Sequence, residues 1–266
     1  MLEKLRYDGK RVLVTGAASG MGAALSRMLV EAGAEVYGAD VKPVTIDGVA
    51  GDVRLDLADE ASIVACVDAV GGPLHSIFSV AGIPGGERFS DLLTMTVNFI
   101  GARHLIETAV ERGLVHSGAS IGCVTSFAGF RWERRVEKLA PLMATDGFEQ
   151  AVEWCEQNKV VGYTPSKTAL NVYVAWRSVD LAAQGIRLNA VAPGLTNTPL
   201  TPDFAGNMGA DVFEKFPRGM GRDAEPEEQA FPLLFLNSDA ASFIAGQVLY
   251  VDGALGAGLT TGKLAL

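Results

Sequence analysis

A glycine-rich turn near the start of the chain is the feature that most restricts its fold. The β-branched run Arg11–Thr15 stops at Gly16, and a stretch with helical spacing covers residues 21–32. Gly20 and Gly22 complete the spacing TGxxxGxG. The absence of side chains lets a diphosphate approach the backbone and meet the helix N-terminus. A strand, a glycine turn and a helix in this order predict a dinucleotide-binding unit.

Strand-like and helix-like segments alternate along the rest of the chain. The predicted strands cover residues 11–15, 35–40, 53–55, 76–80, 119–125, 187–192 and 247–251, and the predicted helices cover residues 21–32, 58–69, 94–112, 164–184 and 226–236. This alternation is typical of a parallel sheet with helices on both faces. We therefore expect an α/β protein with a single-domain Rossmann fold, built on a doubly wound parallel sheet of about seven strands.

Domain organisation follows from length and composition. A chain of 266 residues can form one or two domains, but no linker, repeat or change of composition divides it, so one domain over residues 1–266 is expected. Residues 127–162 are too long for an ordinary connection and predict a functional insertion, with its own helix near residues 148–155. Residues 199–223 show no clear periodicity and predict a mobile substrate loop.

Charge and cysteine content disfavour several classes of protein. With 31 acidic and 22 basic residues the net charge is −9, which disfavours binding to a nucleic-acid backbone. No stretch approaches the roughly 18 apolar residues of a membrane span, and charged residues interrupt the N-terminal segment where a signal peptide needs an apolar core. Cys66, Cys123 and Cys155 form neither a CxxC motif nor a disulfide framework, and the histidines are too scattered for a metal site. We expect a cytoplasmic protein with no metal, no membrane contact and no nucleic-acid partner.

The turn itself indicates which nucleotide it binds. Met21 and Gly22 follow Gly20 where the phosphate loop of a nucleoside triphosphatase requires Lys and Ser or Thr, so ATP and GTP are disfavoured. Asp40 ends the second predicted strand, where a carboxylate can accept hydrogen bonds from the ribose hydroxyls of a dinucleotide. A solvated aspartate at a strand end is the alternative.

The neighbours of Asp40 favour NAD over NADP. Val41 follows Asp40, and Ser19 rather than a base precedes the second glycine, so no cation is placed for a 2′-phosphate. Lys42 is close enough to keep NADP open as an alternative. Asp56, just after the third predicted strand, is placed to meet the adenine amino group.

Seven sequence features occur in a fixed order along nearly the whole chain: TGAASGMG (15–22), Asp40, Asp56, Asn98, Ser126, YTPSK (163–167) and PGLTNT (193–198). In this order they resemble the motifs of the short-chain dehydrogenase/reductase family. The long gap between Ser126 and Tyr163, with RLNAVAPG (187–194) and FPRGMGRDAEPEE (216–228), resembles the bacterial 3α-hydroxysteroid dehydrogenase/carbonyl reductase branch of that family.

Tyr163 and Lys167 carry the predicted chemistry. A spacing of four places both side chains on one helix face, where the ammonium can stabilise the phenolate and lower the tyrosine pKa. Tyr163 can then act as general acid or base. The resemblance implies that Ser126 donates a hydrogen bond to the substrate oxygen and that Asn98 holds a water linked to the lysine. Taken alone, a YxxxK pair is more often a surface pair, and a helix asparagine is often merely buried.

The resemblance also implies which residues hold the dinucleotide. Thr198 and the backbone of Thr196 would bind the nicotinamide carboxamide, and Ala81 and Gly82 would contact the cofactor. Residues 79–80 are Ser and Val where many relatives have two asparagines, so an amide support of the sheet is missing. The expected cofactor-binding residues are Gly16, Ser19, Gly20, Met21, Gly22, Asp40, Val41, Asp56, Leu57, Ala81, Gly82, Tyr163, Lys167, Pro193, Thr196 and Thr198.

Other classes of protein fit the sequence less well. Residues 118–122 match the GxSxG motif of serine hydrolases, but a strand follows where that motif needs a helix, and every histidine precedes Ser120. An epimerase or dehydratase relative would need a longer C-terminal substrate domain. Two alternatives stay open, a non-catalytic dinucleotide sensor and a reductase of another ketone class that uses NADP.

Apolar side chains are concentrated in the two segments that flank the catalytic groups. This favours an apolar, cyclic alcohol or ketone such as a hydroxysteroid, although ordinary packing of a lid gives the same composition. Steroid, terpenoid and aryl ketone substrates and the direction of the reaction stay open. The apolar residues concerned are Phe127, Phe130, Trp132, Leu142, Met143, Phe204, Met208, Phe213, Phe216 and Met220.

The insertion also bears on assembly. Relatives in the family usually form tetramers in which the long helix near residues 94–112 and the helix after Gly162 pair with those of a neighbour. The insertion enters directly before the second of these helices, so it either covers that face or folds over the cleft. We expect a homo-oligomer, a dimer rather than a tetramer, that uses residues 226–236 and 247–251, with the insertion also forming a wall of the substrate pocket.

Overall fold

The predicted alternation of strands and helices is present in the computed structural model, which describes residues 2–265. The strands are β1 (Arg11–Thr15), β2 (Glu35–Asp40), β3 (Gly51–Arg54), β4 (Leu74–Ser79), β5 (Val115–Val124), β6 (Arg187–Pro193) and β7 (Val248–Val251). They form one parallel sheet in the order β3-β2-β1-β4-β5-β6-β7. From β1 the chain continues to β2 and β3 on one side and then crosses to β4 on the other side of β1. This reversal of strand order opens a crevice at the carboxyl ends of β1 and β4. The predicted fold class is confirmed.

Helices cover both faces of the sheet. Val12 and Val14 in β1 point to one face of the sheet, which the first and tenth helices cover. Leu13 between them points to the other face, which the second, fourth and seventh helices cover. Burial on both faces explains the continuous apolar strands. The helices are α1 (Gly20–Glu31), α2 (Glu60–Val70), α3 (Asp91–Met95), α4 (Ala102–Glu111), α5 (Val136–Met143), α6 (Gly147–Asn158), α7 (Tyr163–Ala183), α8 (Thr201–Met208), α9 (Ala210–Lys215), α10 (Pro226–Asn237) and α11 (Leu255–Thr260).

The long helix predicted over residues 94–112 begins earlier and is not a regular α-helix. It starts at Asp91, because the Ser90 hydroxyl caps it by accepting a hydrogen bond from the Leu93 amide at 3.2 Å. A π-helical segment, Thr96–Gly101, joins α3 to α4. At its end, a Cβ on Gly101 would lie 2.0 Å from the Leu57 carbonyl oxygen, so the glycine permits close contact with the loop after β3.

The insertion, residues 127–162, lies mainly on the outside of the face covered by α4 and α7. Helices α5 and α6 bury Leu142 and Cys155 in the core on that side of the sheet. Arg103 on α4 donates hydrogen bonds to the Leu142 carbonyl at 3.0 Å and to the Thr145 hydroxyl at 2.8 Å. The insertion thus packs on part of the helix face that a second subunit would use in a tetramer.

The predicted substrate loop, residues 199–223, contains the two short helices α8 and α9. Two contacts attach α8 to the loop after β4. Arg88 forms an ion pair with Asp203 at 3.1 Å, and the Asn207 amide donates to the Gly85 carbonyl at 3.1 Å. The loop therefore lies over the carboxyl edge of the sheet.

Candidate active site

A cleft of about 590 Å³ opens at the carboxyl edge of the sheet. Ser126 lies in the turn after β5, and Tyr163 and Lys167 lie near the start of α7. The three side chains line the same cleft. Eight of the predicted site residues line this cleft: Met21, Gly82, Ser126, Tyr163, Lys167, Pro193, Thr196 and Thr198.

The other predicted site residues lie outside the lining of the cleft, along the same edge of the sheet. Gly16 and Ser19 lie in the turn between β1 and α1, and Gly20 and Gly22 lie in the first turn of α1. Asp40 ends β2 and Val41 follows it, Asp56 and Leu57 follow β3, Ala81 follows β4, and Asn98 lies in the π segment.

Lys167 is fixed by a backbone contact that sequence reasoning did not include. Its ammonium group donates a hydrogen bond to the Val124 carbonyl at 3.1 Å and lies 5.8 Å from the centre of the Tyr163 ring. The Ser126 hydroxyl accepts a hydrogen bond from the Ala128 amide at 3.1 Å, which orients it at the end of β5. The partner of Lys167 is the backbone carbonyl of Val124, and the identity of a residue does not show what its backbone carbonyl binds.

Burial controls the electrostatics of the pair. It lowers the pKa of Lys167 to about 8 and raises the pKa of Tyr163 to about 12, while the nearby Ser126 hydroxyl acts on the tyrosine in the opposite direction. In the protein chain by itself the tyrosine pKa therefore shifts upward, against the lowering predicted from Lys167. A protonated tyrosine at neutral pH can donate its proton to a substrate oxygen.

Asn98 anchors the loop that follows β4. Its amide group donates to the Ile83 carbonyl at 2.9 Å and its carbonyl oxygen accepts from the Ile83 amide at 2.8 Å. A longer contact of 3.3 Å joins it to the Ser166 hydroxyl, which itself donates to the Tyr163 carbonyl. The side chain thus ties the loop beside Gly82 to the first turn of α7, and the water that the resemblance assigns to it stays a prediction.

The glycine turn is closely packed. A Cβ on Gly16 would lie 2.8 Å from the Ala81 Cα, and a Cβ on Gly22 would lie 2.1 Å from the Gly16 carbonyl oxygen. Ser19 precedes α1 and its side chain caps no amide of the helix, so α1 begins with backbone donors available to an anion. This donor set fits a diphosphate.

Asp40 is held in place by the backbone on both sides. One carboxylate oxygen accepts a hydrogen bond from the Ala18 amide at 3.1 Å and the other accepts from the Lys42 amide at 3.0 Å. Asp56 accepts from the Ala58 amide at 2.9 Å, so one of its oxygens is already engaged. Its adenine contact therefore stays a prediction.

The loop after β4 is held by Thr15, the last residue of β1. The Thr15 hydroxyl oxygen accepts hydrogen bonds from the Val80 amide at 3.0 Å and from the Ala81 amide at 3.1 Å. These bonds hold the loop after β4 against the glycine turn. Near the other wall of the cleft, Thr201 donates to the Thr196 carbonyl at 2.9 Å and accepts from the Thr198 amide at 2.9 Å.

The predicted apolar wall is only partly correct. Of the insertion, Phe127, Ala128 and Phe130 line the cleft, whereas residues 131–159 do not line it. Those residues pack on α4 and α7 instead, because their apolar positions are needed to cover that face. Phe127, Phe130, Phe204, Met208, Phe213 and Phe216 line the cleft, whereas Trp132, Leu142 and Met143 join the core and Met220 is largely exposed.

Phe204 packs directly on Tyr163. Its ring packs edge to face against Tyr163 with the ring centres 5.1 Å apart. Pro84, Leu195, Leu200 and Asn207 also line the cleft and were missed, because the sequence shows which segments are loops but not which of their side chains face inward.

Residues 2–265 contain no group of three or more His, Cys, Asp or Glu side chains that could hold a metal ion. No helix in that range has the length and apolar character required to cross a membrane.

Comparison with known proteins identifies the family. Residues 10–136 match the family described as short chain dehydrogenase, and residues 143–255 match the one described as enoyl-(acyl carrier protein) reductase. The chain belongs to the short-chain dehydrogenase/reductase family. It is therefore an oxidoreductase of a family that binds a nicotinamide dinucleotide and acts on CH–OH groups.

Individual relatives act on different alcohols. The chain is 34% identical to cis-4-hydroxycyclohexanecarboxylate dehydrogenase of Sinomonas cyclohexanicum, over 91% of this chain and 94% of the relative. It is 29% identical to the 3-alpha-hydroxysteroid dehydrogenase/carbonyl reductase of Comamonas testosteroni, over 92% and 96%. The solved structure of the 3-alpha-hydroxysteroid dehydrogenase from Pseudomonas sp. B-0831 complexed with NADH matches with a TM-score of 0.78 and 30% identity, over 96% of this chain and all of that one.

Proposed function

We propose that this protein interconverts a secondary alcohol and a ketone with NAD(H), with Tyr163 as general acid and base. The observation that carries the proposal is that Ser126, Tyr163 and Lys167 line one cleft at the carboxyl edge of the sheet. The glycine turn and Asp40 lie further along the same edge.

The chain's own residues supply proton transfer and orientation. The nicotinamide dinucleotide, when bound, supplies or accepts the hydride. Tyr163 gives its proton to the ketone oxygen in reduction and takes it back in oxidation. Ser126 donates a hydrogen bond to the same oxygen as negative charge develops on it. With a pKa of about 8, Lys167 is mostly ammonium at neutral pH and favours the phenolate form that follows proton release.

The lining of the cleft favours an uncharged, apolar, cyclic substrate such as a hydroxysteroid. Phe127 and Phe130 are stacked 5.1 Å apart on one side, and Phe204, Phe213 and Phe216 contribute from the substrate loop. Apart from Lys167, no acidic or basic side chain among residues 2–265 lines the cleft. A substrate carboxylate would therefore lose its hydration without gaining a partner of its own.

A matched pair of alcohols tests this substrate class. NADH formation is measured with 4-methylcyclohexanol, with cis-4-hydroxycyclohexanecarboxylate and with a 3α-hydroxysteroid, and Tyr163→Phe serves as the inactive control. The uncharged ring should exceed the charged one in kcat/KM by at least about tenfold, because of the desolvation cost. Preference for the carboxylate would contradict the proposed lining, and binding of NADH without turnover of any alcohol would identify a sensor.

NAD is the proposed cofactor because of Asp40. Its carboxylate is held by the amides of Ala18 and Lys42 and faces the glycine turn. A 2′-phosphate about 4 Å away would be repelled by roughly 4 kcal/mol at an effective dielectric constant near 20. Allowing for relaxation, kcat/KM with NAD should exceed that with NADP by at least about tenfold, since 1.36 kcal/mol corresponds to a factor of ten. Equal values would show that Asp40 does not face the ribose.

A homodimer is the proposed assembly. β7 is an edge strand with one side unpaired in the chain. Leu249 on this strand and Phe231 on α10 are exposed by 42% and 54%, which indicates a contact surface. The insertion packs on part of the alternative face on α4 and α7, where Trp176 and Val179 stay exposed. Light scattering at micromolar concentration should give the mass of two chains, and the mass of four would contradict the covered interface.

A cytoplasmic location is the proposed compartment. Cys66, Cys123 and Cys155 are all buried free thiols, which suits a reducing environment. Fractionation of cells that produce the tagged protein should recover it with cytoplasmic markers, and recovery with an extracytoplasmic marker would contradict the assignment.

A further inference from the structure

Two side chains of α8 hold this helix against the loop that follows β4. Asp203 forms an ion pair with Arg88 at 3.1 Å. The Asn207 amide donates hydrogen bonds to the Gly85 carbonyl at 3.1 Å and to the Pro84 carbonyl at 3.4 Å. These contacts, which we call the α8 clamp, involve none of the groups assigned to proton transfer.

The clamp depends on a glycine at position 86. Gly86 has a φ of +81°, which side chains rarely permit. A Cβ at this position would also lie 1.7 Å from Oδ1 of Asn207 and 2.2 Å from its Cγ. The Asn207 side chain thus lies directly on the backbone of Gly86. Gly86 does not line the cleft, so a larger residue there would displace Asn207 without replacing a lining residue.

The clamp closes the gap between two walls of the cleft. Ile83 and Pro84 line the cleft from the loop after β4, and Phe204 and Met208 line it from α8. The clamp residues of α8 flank Phe204 in the helix, and the Phe204 ring packs on Tyr163 with the ring centres 5.1 Å apart. A substrate whose oxygen lies at Tyr163 therefore has these two joined walls beside it.

We infer that the α8 clamp limits the length of the substrate, with Arg88, Asp203, Asn207 and Gly86 as its specificity-determining residues. The inference rests on the proposed function and narrows its substrate class to cyclic alcohols that fit between the joined walls. A long substituent opposite the reacting carbon has to part the walls, so its binding is weakened by the free energy of the broken contacts. A short ring leaves the clamp intact.

A pair of substrates that differ only in length tests the inference. For 4-methylcyclohexanol and 4-heptylcyclohexanol we consider the ratio of kcat/KM, long over short. Titration calorimetry gives the same ratio for binding of the matching ketones in the presence of NAD⁺, a combination that cannot react. Gly86→Ala should raise both ratios at least about tenfold, the factor that corresponds to 1.36 kcal/mol and to the loss of about one hydrogen bond.

Charge reversal tests the ion pair without disturbing the glycine. Arg88→Glu places two carboxylates together on α8 and the loop, and should raise the ratio about threefold to fivefold, the scale for an exposed pair. Adding Asp203→Arg restores an ion pair of reversed polarity and should return the ratio to the wild-type value. Asp211→Asn is the matched control, because it removes an exposed carboxylate of α9 that forms no ion pair within residues 2–265.

The outcomes separate this inference from the proposed function. An unchanged ratio in Gly86→Ala with native circular dichroism would overturn the length limit. Failure of Asp203→Arg to reverse the effect of Arg88→Glu, or an equal effect of Asp211→Asn, would also overturn it. The expected ratios in ketone binding without oxidation of any alcohol would support the length limit and count against the proposed catalytic function. Absence of binding of either ketone to the wild type and to every variant would overturn both.

Discussion

Arg103 offers a direct test of how the insertion is held on the fold. Its guanidinium donates to the Leu142 carbonyl at 3.0 Å, to the Thr145 hydroxyl at 2.8 Å and to the Thr145 carbonyl. These acceptors lie at the C-terminal end of α5, where the last carbonyls of a helix carry partial negative charge and lack helical partners. One side chain on α4 therefore neutralises and fixes the junction between α5 and α6.

The magnitude follows from the number and kind of bonds lost in Arg103→Met. A hydrogen bond to a charged group contributes about 1.5 to 3 kcal/mol, and partial exposure and shared geometry make the three less than additive. A total of about 2 to 4 kcal/mol is expected. Leu142 and Cys155 stay packed in the core, so the loss should appear as easier local opening of α5 and α6 rather than as global unfolding.

Hydrogen exchange read by mass spectrometry measures this opening peptide by peptide. At about 1.36 kcal/mol for each factor of ten, amides of α5 and α6 should exchange roughly 30 to 900 times faster in Arg103→Met, while those of β4 and β6 should not change. Arg103→Lys should lie between the two, and Arg112→Met, which breaks only an exposed ion pair with Asp68, should match the wild type. Unchanged exchange in α5 and α6, or an equal increase in the Arg112 variant, would refute the reasoning.

Four further perturbations give distinct results. Tyr163→Phe should lower kcat by roughly 10² to 10⁴ while calorimetry still detects NADH binding, because only the proton-transfer group is lost; near-normal turnover would contradict the mechanism. Ser126→Ala should lower kcat roughly 10²- to 10³-fold, the scale for losing one donor to a developing oxyanion, and a change confined to KM would assign it a binding role only. Gly101→Ala would place a Cβ 2.0 Å from the Leu57 carbonyl oxygen, so the backbone would have to shift. This shift should lower the free energy of unfolding by about 1 to 3 kcal/mol and lower Tm in calorimetry, and an unchanged Tm would show that the helix can move away freely. Partial desolvation lowers the pKa of His75 below 6.5, so the unfolded chain binds more protons just below pH 6.5 and stability should fall slightly as the pH drops, because the side chain is largely exposed. His75→Asn should make the urea midpoint depend less on pH between pH 7 and 5, and an identical slope would exclude this histidine as the cause.

Local sequence signals were sufficient where a structural element is bounded by residues with strong backbone preferences. The limits of β1 and β2 agree with the β-branched runs that end at the glycine turn and at Asp40. The start of α10 agrees with Pro226, which is preorganised for the first turn of a helix. At these places one short segment determines its own conformation, so neighbours in space are not needed to predict it.

Three features of the site depend on contacts that the sequence does not display. The π segment around Asn98 has nearly the same apolar spacing as an α-helix, so periodicity cannot reveal it. Asn207 reaches the Gly85 carbonyl only because α8 lies against the loop after β4. The direction of the Tyr163 pKa shift depends on burial, which the spacing of Tyr163 and Lys167 leaves undetermined.

The long insertion separates Ser126 from Tyr163, the two proposed catalytic residues, along the chain but not in space, because both of its ends are anchored near α7. At its start, a Cβ on Gly129 would lie 2.4 Å from the Asn171 side chain, so the backbone lies directly on α7. At its end, the Gly162 amide donates to the Asp91 carbonyl at 2.9 Å. With fixed ends, making a loop three times longer raises the entropic free-energy cost of closing it by only about 1 kcal/mol. Complete burial of Leu142 by itself stabilises the fold by about 1.5 to 3 kcal/mol, which exceeds that cost. The insertion can therefore pack on α4 and α7 while Ser126 and Tyr163 keep their positions in the cleft.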